Sequence, residues 1–320
     1  MAESRTVAVV GASGIGKHHA NWWNTEGARV CGFVGTSTES VMQTLDTLVN
    51  MFTFEGRGYT DLAELIEEEK PDIVDICSPP QFHYEHAMTA IEAGCDVLCE
   101  KPFIYEEDLP DDELLDQART VVAEAQAAGV QFGLCSQYHV SADACGAFLT
   151  EHGGEERIET YRGHIASPAG DREPEPAATW IDLAPHMLAG MQALFPRGRI
   201  DFTTLSTQFA GYNAQAEFDL QLPDGPTVDC QIVTGRTTED SDASHVRRYE
   251  LNGSVFDIGG TNDENGVYCA EYHTSWGTYR RPDPMRLLIR DFLAGTPRID
   301  GPAALTNLTW LLRIQSHATC

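Results

Sequence analysis

The sequence predicts an α/β chain: a doubly wound parallel sheet at the N-terminus, then an α+β domain built on a large, mostly antiparallel open sheet. Two observations carry this. Through about residue 137, short apolar runs alternate with helical stretches, the pattern of parallel βαβ units. Beyond that point, strand-like runs follow one another with turn signals between them. The expected division is 1–127 and 128–320.

In order, "RTVAVVG" (5–11) is an apolar strand ending in glycine, and "ASGIGKHHANWWNTEG" continues as a helix. "ARVCGFVG" (28–35) is a second strand. "TDLAELIEEEKP" is a helix stopped by Pro71, and "DIVDICSPP" a strand ended by two prolines. "FHYEHAMTAIEAG" is a helix with a terminal glycine, and "CDVLCEKPF" (95–103) is the next strand. "PDDELLDQARTVVAEAQAAG" is a helix leading to the strand "VQFGLCSQ". The second half offers strands at "IDFTTLSTQFA", "AQAEFDLQLPDG", "TVDCQIVTG", "VRRYELNG" and "SVFDIGG", with turns at "PDG" and "NGS". "PDPMRLLIRDFLAG" and "PAALTNLTWLLRIQSHA" close the chain as helices. The acidic, proline-rich "SPAGDREPEPAAT" (167–179) is a loop, either bordering a site or simply solvated.

A net charge of −28 argues against nucleic acid or an anionic membrane surface as partner. "MAESRTVAVVG" enters its first strand without a basic or apolar leader, and no run reaches membrane-span length, so a cytoplasmic location is expected. Nine cysteines without CxxC pairs, several in apolar runs, read as free thiols in a reducing compartment, with no metal site. Forty-nine acidic residues stand beside only three lysines, Lys17, Lys70 and Lys101. A salt-rich cytoplasm and a GC-rich genome explain that balance equally well.

Gly11, Gly14 and Gly16 fall between a strand and a helix, where backbone N–H groups at a helix start can reach a pyrophosphate. Gly11, Ser13, Gly14 and Ile15 are therefore the expected contacts of a dinucleotide in a Rossmann domain, although Ser13 stands where the G-x-G-x-x-G pattern has glycine. The second strand ends in Gly35, Thr36 and Ser37, where NAD enzymes carry an acid for the adenosine ribose. Nothing there repels a 2′-phosphate and two hydroxyls can donate to it, so the preference leans to NADP; Glu39 keeps NAD open. "GASGIG" is also similar to the loop of short-chain dehydrogenases, but their Tyr-x-x-x-Lys pair is missing: Ser13, Ile66 and Val97 precede the three lysines by four.

Lys101 follows an apolar strand at its C-terminal end, the edge where doubly wound sheets bind ligands. Partial desolvation there would bring an ammonium toward proton-transfer range, which arginine does not reach. Asp182 and His186 are four apart and share a helix face, so the carboxylate can orient a histidine that takes a carbinol proton.

Three segments in order, "GASGIGKHHA", "CSPPQFHYEHAMTAIEAGCDVLCEKPF" and "TWIDLAPHML", resemble the Gfo/Idh/MocA family of NAD(P)-dependent oxidoreductases, over nearly the whole chain. The resemblance implies hydride transfer between nicotinamide and a hydroxyl or carbonyl carbon of a sugar, polyol or cyclitol. It makes Lys101, Asp182 and His186 the catalytic and substrate-binding set and places Glu100 at the nicotinamide ribose or carboxamide, with Pro102 often following a cis bond. Ser78, Pro80 and His83 match the family segment that passes the cofactor, and Tyr138 stands at the domain junction near substrate. Trp180 could stack on a sugar ring or pack the core, and His18, His19, Trp22 and Trp23 are read as helix packing. "PAATW" and Ala189 depart from the family's glycines before the aspartate and its further aspartate after the histidine, which bears on substrate contacts. Relatives form dimers or tetramers through the second-domain sheet, so a homodimer or homotetramer is expected. Two rivals remain: a lyase or glycosidase-like enzyme that holds NAD and oxidises transiently, and a non-enzymatic dinucleotide sensor.

Overall fold

The computed structural model describes residues 4–154, 157–223, 225–238 and 245–318. The chain divides into two compact units, Met1–Cys135 with Met285–Thr306, and Ser136–Pro284 with Asn307–Cys320. The division thus falls eight residues later than the expected 127/128, and the first unit reclaims a C-terminal segment. The reason is pairing: the strand at Phe132–Cys135 completes the first sheet, and Leu134 N–H donates to the Ile299 carbonyl.

The first unit carries β1 (Thr6–Val10), β2 (Arg29–Val34), β3 (Arg57–Tyr59), β4 (Ile73–Ile76), β5 (Asp96–Glu100) and β6 (Phe132–Cys135). They form one parallel sheet in the order β3-β2-β1-β4-β5-β6, as the alternation of strand and helix predicts. Its crossovers are α1 (Gly16–Thr25), α2 (Thr38–Met51), α3 (Leu62–Glu69), α4 (His83–Glu92) and α5 (Asp111–Ala128). Helices on both faces bury the central strands completely: Val7, Ala8, Val9, Ile73, Val74, Val97 and Cys99 have no exposed surface. Each buried valine or isoleucine contributes about 1.5–3 kcal/mol relative to exposure. The helix α8 (Pro284–Leu293) is tied to the end of α1, where Arg286 and Arg290 bond Glu26 at 2.5 and 2.9 Å.

In the second unit α6 (Gln137–Phe148) and α7 (Pro176–Leu194) precede and interrupt an eight-stranded sheet. Its strands are β7 (Thr160–Pro168), β8 (Arg199–Ala210), β9 (Asn213–Gln221), β10 (Val228–Thr237), β11 (Val246–Leu251), β12 (Ser254–Asn262), β13 (Tyr268–Thr274) and β14 (Gly277–Pro282). The order is β14-β13-β12-β11-β7-β10-β9-β8, antiparallel except for the central pair β7–β10. Tyr161, Ile165, Ala216, Phe218, Cys230 and Ile232 are buried, and α7 packs on β7, β9 and β10. Residues of the opposite alternation, such as Arg162, Glu217, Gln231 and Arg248, are polar. The "NGS" turn is present, with Asn252 and Gly253 both at positive φ (51° and 80°). The "PDG" turn includes Asp224, which lies outside the described residues. The final helix, α9 (Gly301–Ala318), closes the described chain. No helix among the described residues is long and apolar enough to cross a membrane.

Candidate active site

The glycine loop fits a dinucleotide. Gly11 has φ +84° and a Cβ there would stand 2.7 Å from the Cys77 carbonyl oxygen; a Cβ at Gly16 would stand 2.6 Å from the Gly11 oxygen. Only glycine closes so tight a turn. Ser13, Gly14 and Ile15 are exposed, and a Cβ on Gly14 would meet nothing within 4 Å. No side chain caps the start of α1 and its first turn holds no acid, so its positive end faces open space.

The neighbouring helix start is built differently. Ser37 caps α2, its Oγ accepting from Ser40 N–H at 3.2 Å, and Ser40 Oγ accepts in return from Ser37 N–H at 3.0 Å. Thr36 Oγ1 donates to Ser40 Oγ at 3.3 Å. The hydroxyls of Thr36 and Ser37 are thus organised by Ser40, which sequence reasoning missed. Gly35 lies beneath them: a Cβ there would approach Ser40 Oγ to 2.9 Å and Val41 Cγ2 to 3.0 Å.

At the ends of β4 and β5, the Lys101–Pro102 peptide is cis, as the resemblance implied, and Lys101 N–H donates to Glu100 Oε2 at 3.2 Å. His83 corrects an expectation. It is fully buried, with Nδ1 3.0 and 3.1 Å from the carbonyls of Pro102 and Phe103 and Nε2 2.8 Å from that of Ser78. Burial lowers its pKa, so the neutral ring donates from one nitrogen only, and the ring, fully buried, braces the backbone around the Glu-Lys-Pro segment. Ser78 Oγ lies 2.9 Å from His86 Nδ1, and Pro80 opens a short 3-10 turn, Pro80–Phe82, that leads into α4.

In the second unit, α7 is buried from Thr179 to Gln192 except at Asp182 and His186, which surface one turn apart as the spacing predicts. Ser136 Oγ lies 3.0 Å from His186 Nδ1. Ser136 occupies the N-cap position of α6 yet forms no cap bond, its hydroxyl being turned to the histidine instead. Arg236, at the end of β10, pairs with Asp182 and also bonds Ser167, its register neighbour on β7. The Arg236 side chain is 7% exposed and that of Asp182 41%. Among the described residues Arg236 Nε, also buried, has no hydrogen-bond partner. Asp182 and Arg236 line a cavity of about 490 Å³ with Arg172, Glu173, Glu175 and Thr179. The 167–179 stretch therefore borders a cavity, though its last residues already belong to α7.

Tyr138 is buried with its ring 4.7 Å from that of His186; burial pushes its phenol up to about 12, with Arg247 opposing. Trp180 is a core residue and no platform for a sugar: it is fully buried, its Nε1–H donates to the Leu311 carbonyl at 3.1 Å, and its ring lies 5.5 Å from Phe209. Ser136 and Arg236 went unread because neither stands in a recognisable spacing; each is joined to the α7 pair through the fold alone.

Residues 5–135 match the Gfo/Idh/MocA oxidoreductase family, described by its NAD-binding Rossmann fold. The match covers the first unit's sheet and less than half of the chain. The chain is similar to D-glucoside 3-dehydrogenase of Escherichia coli K12, 37% identical over 97 residues, which cover 30% of this chain and 26% of that protein. It is also similar to inositol 2-dehydrogenase of Corynebacterium glutamicum strain R, 30% identical over 104 residues, covering 32% and 29%. The matches thus span little more than a quarter of either curated relative. The whole fold is shared with an oxidoreductase from Agrobacterium radiobacter solved with NAD+, L-tartaric acid and magnesium, at TM-score 0.73 and 15% identity over 99% of this chain and 97% of that one.

Proposed function

We propose that this chain is an NAD(P)-dependent oxidoreductase of the Gfo/Idh/MocA type, acting on a hydroxyl or carbonyl carbon of a sugar, polyol or cyclitol. One observation carries the reading: α7, buried through its middle turns, surfaces at an acid and a histidine one turn apart, with the acid lining a polar cavity. A cavity edged by Arg172, Asp182 and Arg236 offers donors and acceptors to a polyhydroxylated ligand. The two curated relatives, a glucoside and an inositol dehydrogenase, support the same substrate class.

The residues divide the work as follows. The loop Gly11–Ile15 holds the pyrophosphate at the start of α1, and Glu100 contacts the nicotinamide end. When bound, the nicotinamide supplies the hydride donor or acceptor. His186 takes the proton of the substrate hydroxyl during oxidation and returns it during reduction. Ser136 holds Nδ1 and shares the orienting role expected of Asp182, and Nε2 is the atom proposed for that exchange. Arg236 fixes the Asp182 carboxylate against the cavity wall. Lys101 polarises the substrate oxygen or shares its proton.

NADP is the proposed preference, since Gly35, Thr36 and Ser37 present no acid to a 2′-phosphate; Glu39 in the first turn of α2 is a charge that favours NAD. We also propose assembly as a homodimer or homotetramer through the open sheet face, where Arg162, Glu217 and Gln231 would make a polar interface. Light scattering on the purified chain tests this, and a monomer at micromolar concentration refutes it. The activity itself is tested by a cofactor-reduction screen across sugars, polyols and cyclitols with NAD and NADP in parallel. Reduction with one substrate class supports the reading. Turnover without added cofactor, by protein that retains NAD, would replace it with the lyase alternative.

A further inference from the structure

The first unit holds a buried ionic cluster that the proposed proton chemistry does not use. His19, one turn beyond the glycine loop on α1, is fully buried. Its Nδ1 lies 2.9 Å from Asp75 Oδ2 and its Nε2 lies 3.2 Å from Glu100 Oε1. Asp75, also fully buried, accepts a second bond from Trp23 Nε1–H at 2.6 Å, and Cys77 Sγ lies 3.7 Å from its other oxygen. Cys135 Sγ stands 4.0 Å from His19 Nε2. These residue types also form metal-ligand groupings, with ligand atoms within 4.8 Å of one another. The chemistry of the donors points elsewhere. Burial first, and Asp75 next, push the Cys77 thiol up to about 12, and burial with Glu100 raises Cys135, so in the metal-free protein both are neutral thiols beside the ring.

Both imidazole nitrogens face carboxylate oxygens, which a histidine satisfies on both sides only with a proton on each. Burial works against that charge, and the Asp75 carboxylate opposes burial by its charge and its hydrogen bond, with His19 raised well above the usual histidine range. The groups facing the ring are Asp75 and Cys77 from β4 and the residue after it, Glu100 from β5, Cys135 from β6, and His18 on its own helix. Removing the cation would leave two carboxylates in one poorly solvated place, and Glu100, its side chain 15% exposed, is the one able to turn toward water.

We propose that His19 is the positioning residue of Glu100: an imidazolium clamped between two carboxylates, it ties the Glu-Lys-Pro segment to the helix that carries the glycine loop. His19 thus does more than pack its helix. The two cofactor-facing elements, the loop before α1 and the end of β5, are thereby set relative to each other within the first unit. The consequence for cofactor binding rests on the assignment of Glu100 under the proposed function; the charge state of His19 does not.

Two measurements test this. The first is 15N NMR of the imidazole nitrogens in the cofactor-free protein, with His19 assigned by its loss in His19→Gln. Both nitrogens should remain protonated at about pH 8, well above the ordinary histidine range, and Glu100→Gln should move the Nε2 resonance. A neutral ring at neutral pH overturns the proposal. The second is cofactor affinity by calorimetry, for NADP and NAD, in His19→Gln, Glu100→Gln and the double variant. Each single should weaken binding about 10–100-fold, the scale on which orienting partners of functional side chains act. If His19 works through Glu100, the double variant is no weaker than Glu100→Gln alone. Losses that multiply in the double variant mean that His19 merely supports α1, and overturn the positioning role. Wild-type affinity in Glu100→Gln removes the reading of Glu100 at the cofactor, while the NMR result still decides whether His19 and Glu100 form the pair.

Discussion

Replacing Arg236 by methionine should separate stability from activity. The side chain is 7% exposed and gives bonds to Asp182 and Ser167, so its loss removes two contacts. A hydrogen bond to a charged group contributes about 1.5–3 kcal/mol, and the neutral one about 1. Three effects oppose that loss. Asp182 keeps 41% of its side-chain surface and re-solvates when its partner is gone. The guanidinium no longer has to be stripped of water, and its buried Nε, unpartnered among the described residues, no longer carries a penalty of about 1–3 kcal/mol. Methionine also fills most of the same volume. The terms nearly cancel, so urea unfolding of Arg236→Met should give a stability within about 2 kcal/mol of wild type. Turnover should not survive, because Asp182 loses the group that fixes it: a misplaced catalytic group costs about 10²-fold in kcat. Arg236→Lys should recover little, since one ammonium cannot hold Ser167 and Asp182 with the fork of a guanidinium. A loss of more than about 4 kcal/mol, the full cost of breaking a buried pair, would make Arg236 a structural keystone. Unchanged kcat in a stable variant would show that the cavity beside Asp182 is not where substrate reacts.

Gly14→Val should fold normally, because a side chain there meets nothing within 4 Å, yet lose dinucleotide binding; unchanged affinity by calorimetry would remove the pyrophosphate assignment. His186→Ala and Lys101→Ala should each lower kcat by about 10²–10⁴-fold with cofactor affinity little changed in the former, and the double variant should be little worse than the worse single. Lys101→Arg should be nearly as damaging as Lys101→Ala, and near-wild-type turnover in it would mean that the lysine supplies only charge. Ser136→Ala should lower kcat by about fivefold, the worth of one hydrogen bond of about 1 kcal/mol selecting the His186 tautomer. It should cost α6 little, since the hydroxyl makes no cap bond; a stability loss without a kinetic one would refute the role. The stability advantage of wild type over His19→Gln should be complete below the unfolded histidine pKa of about 6.5 and be lost as pH rises through the raised folded-state value, because the native state binds the extra proton. Urea unfolding at several pH values checks this, and an advantage that grew with pH would contradict an imidazolium at position 19.

Much of the fold is legible in the chain alone. A run such as "VAVV", apolar throughout and ended by glycine, points to a parallel sheet, because a strand covered on both faces can be apolar at every position. The four-residue spacing of Asp182 and His186 determines their common face, since helical period is local geometry. The strand β7 escaped notice although it is central to its sheet: "TYRGHIASP" alternates polar and apolar residues weakly, and its place is set by pairing with β10 and β11, far away in sequence. Short β3 offers only three residues of pattern, β13 and β14 pair with sequence neighbours but, half-buried and exposed respectively, lack a clear apolar alternation, and the polar face of α2 masks its period.

The roles of single side chains divide along the same line. A strand-end Lys101 and an N-terminal glycine loop declare themselves because their chemistry depends on the element beside them in the chain. Trp180 and His83 looked equally functional, but burial and three backbone carbonyls made one a core residue and the other a brace. Ser136, Arg236 and His19 gave no signal at all. Their partners lie 50, 54 and 56 residues away, and a hydrogen bond or ion pair across that distance exists only once sheet register and helix packing have brought the two groups within 3 Å.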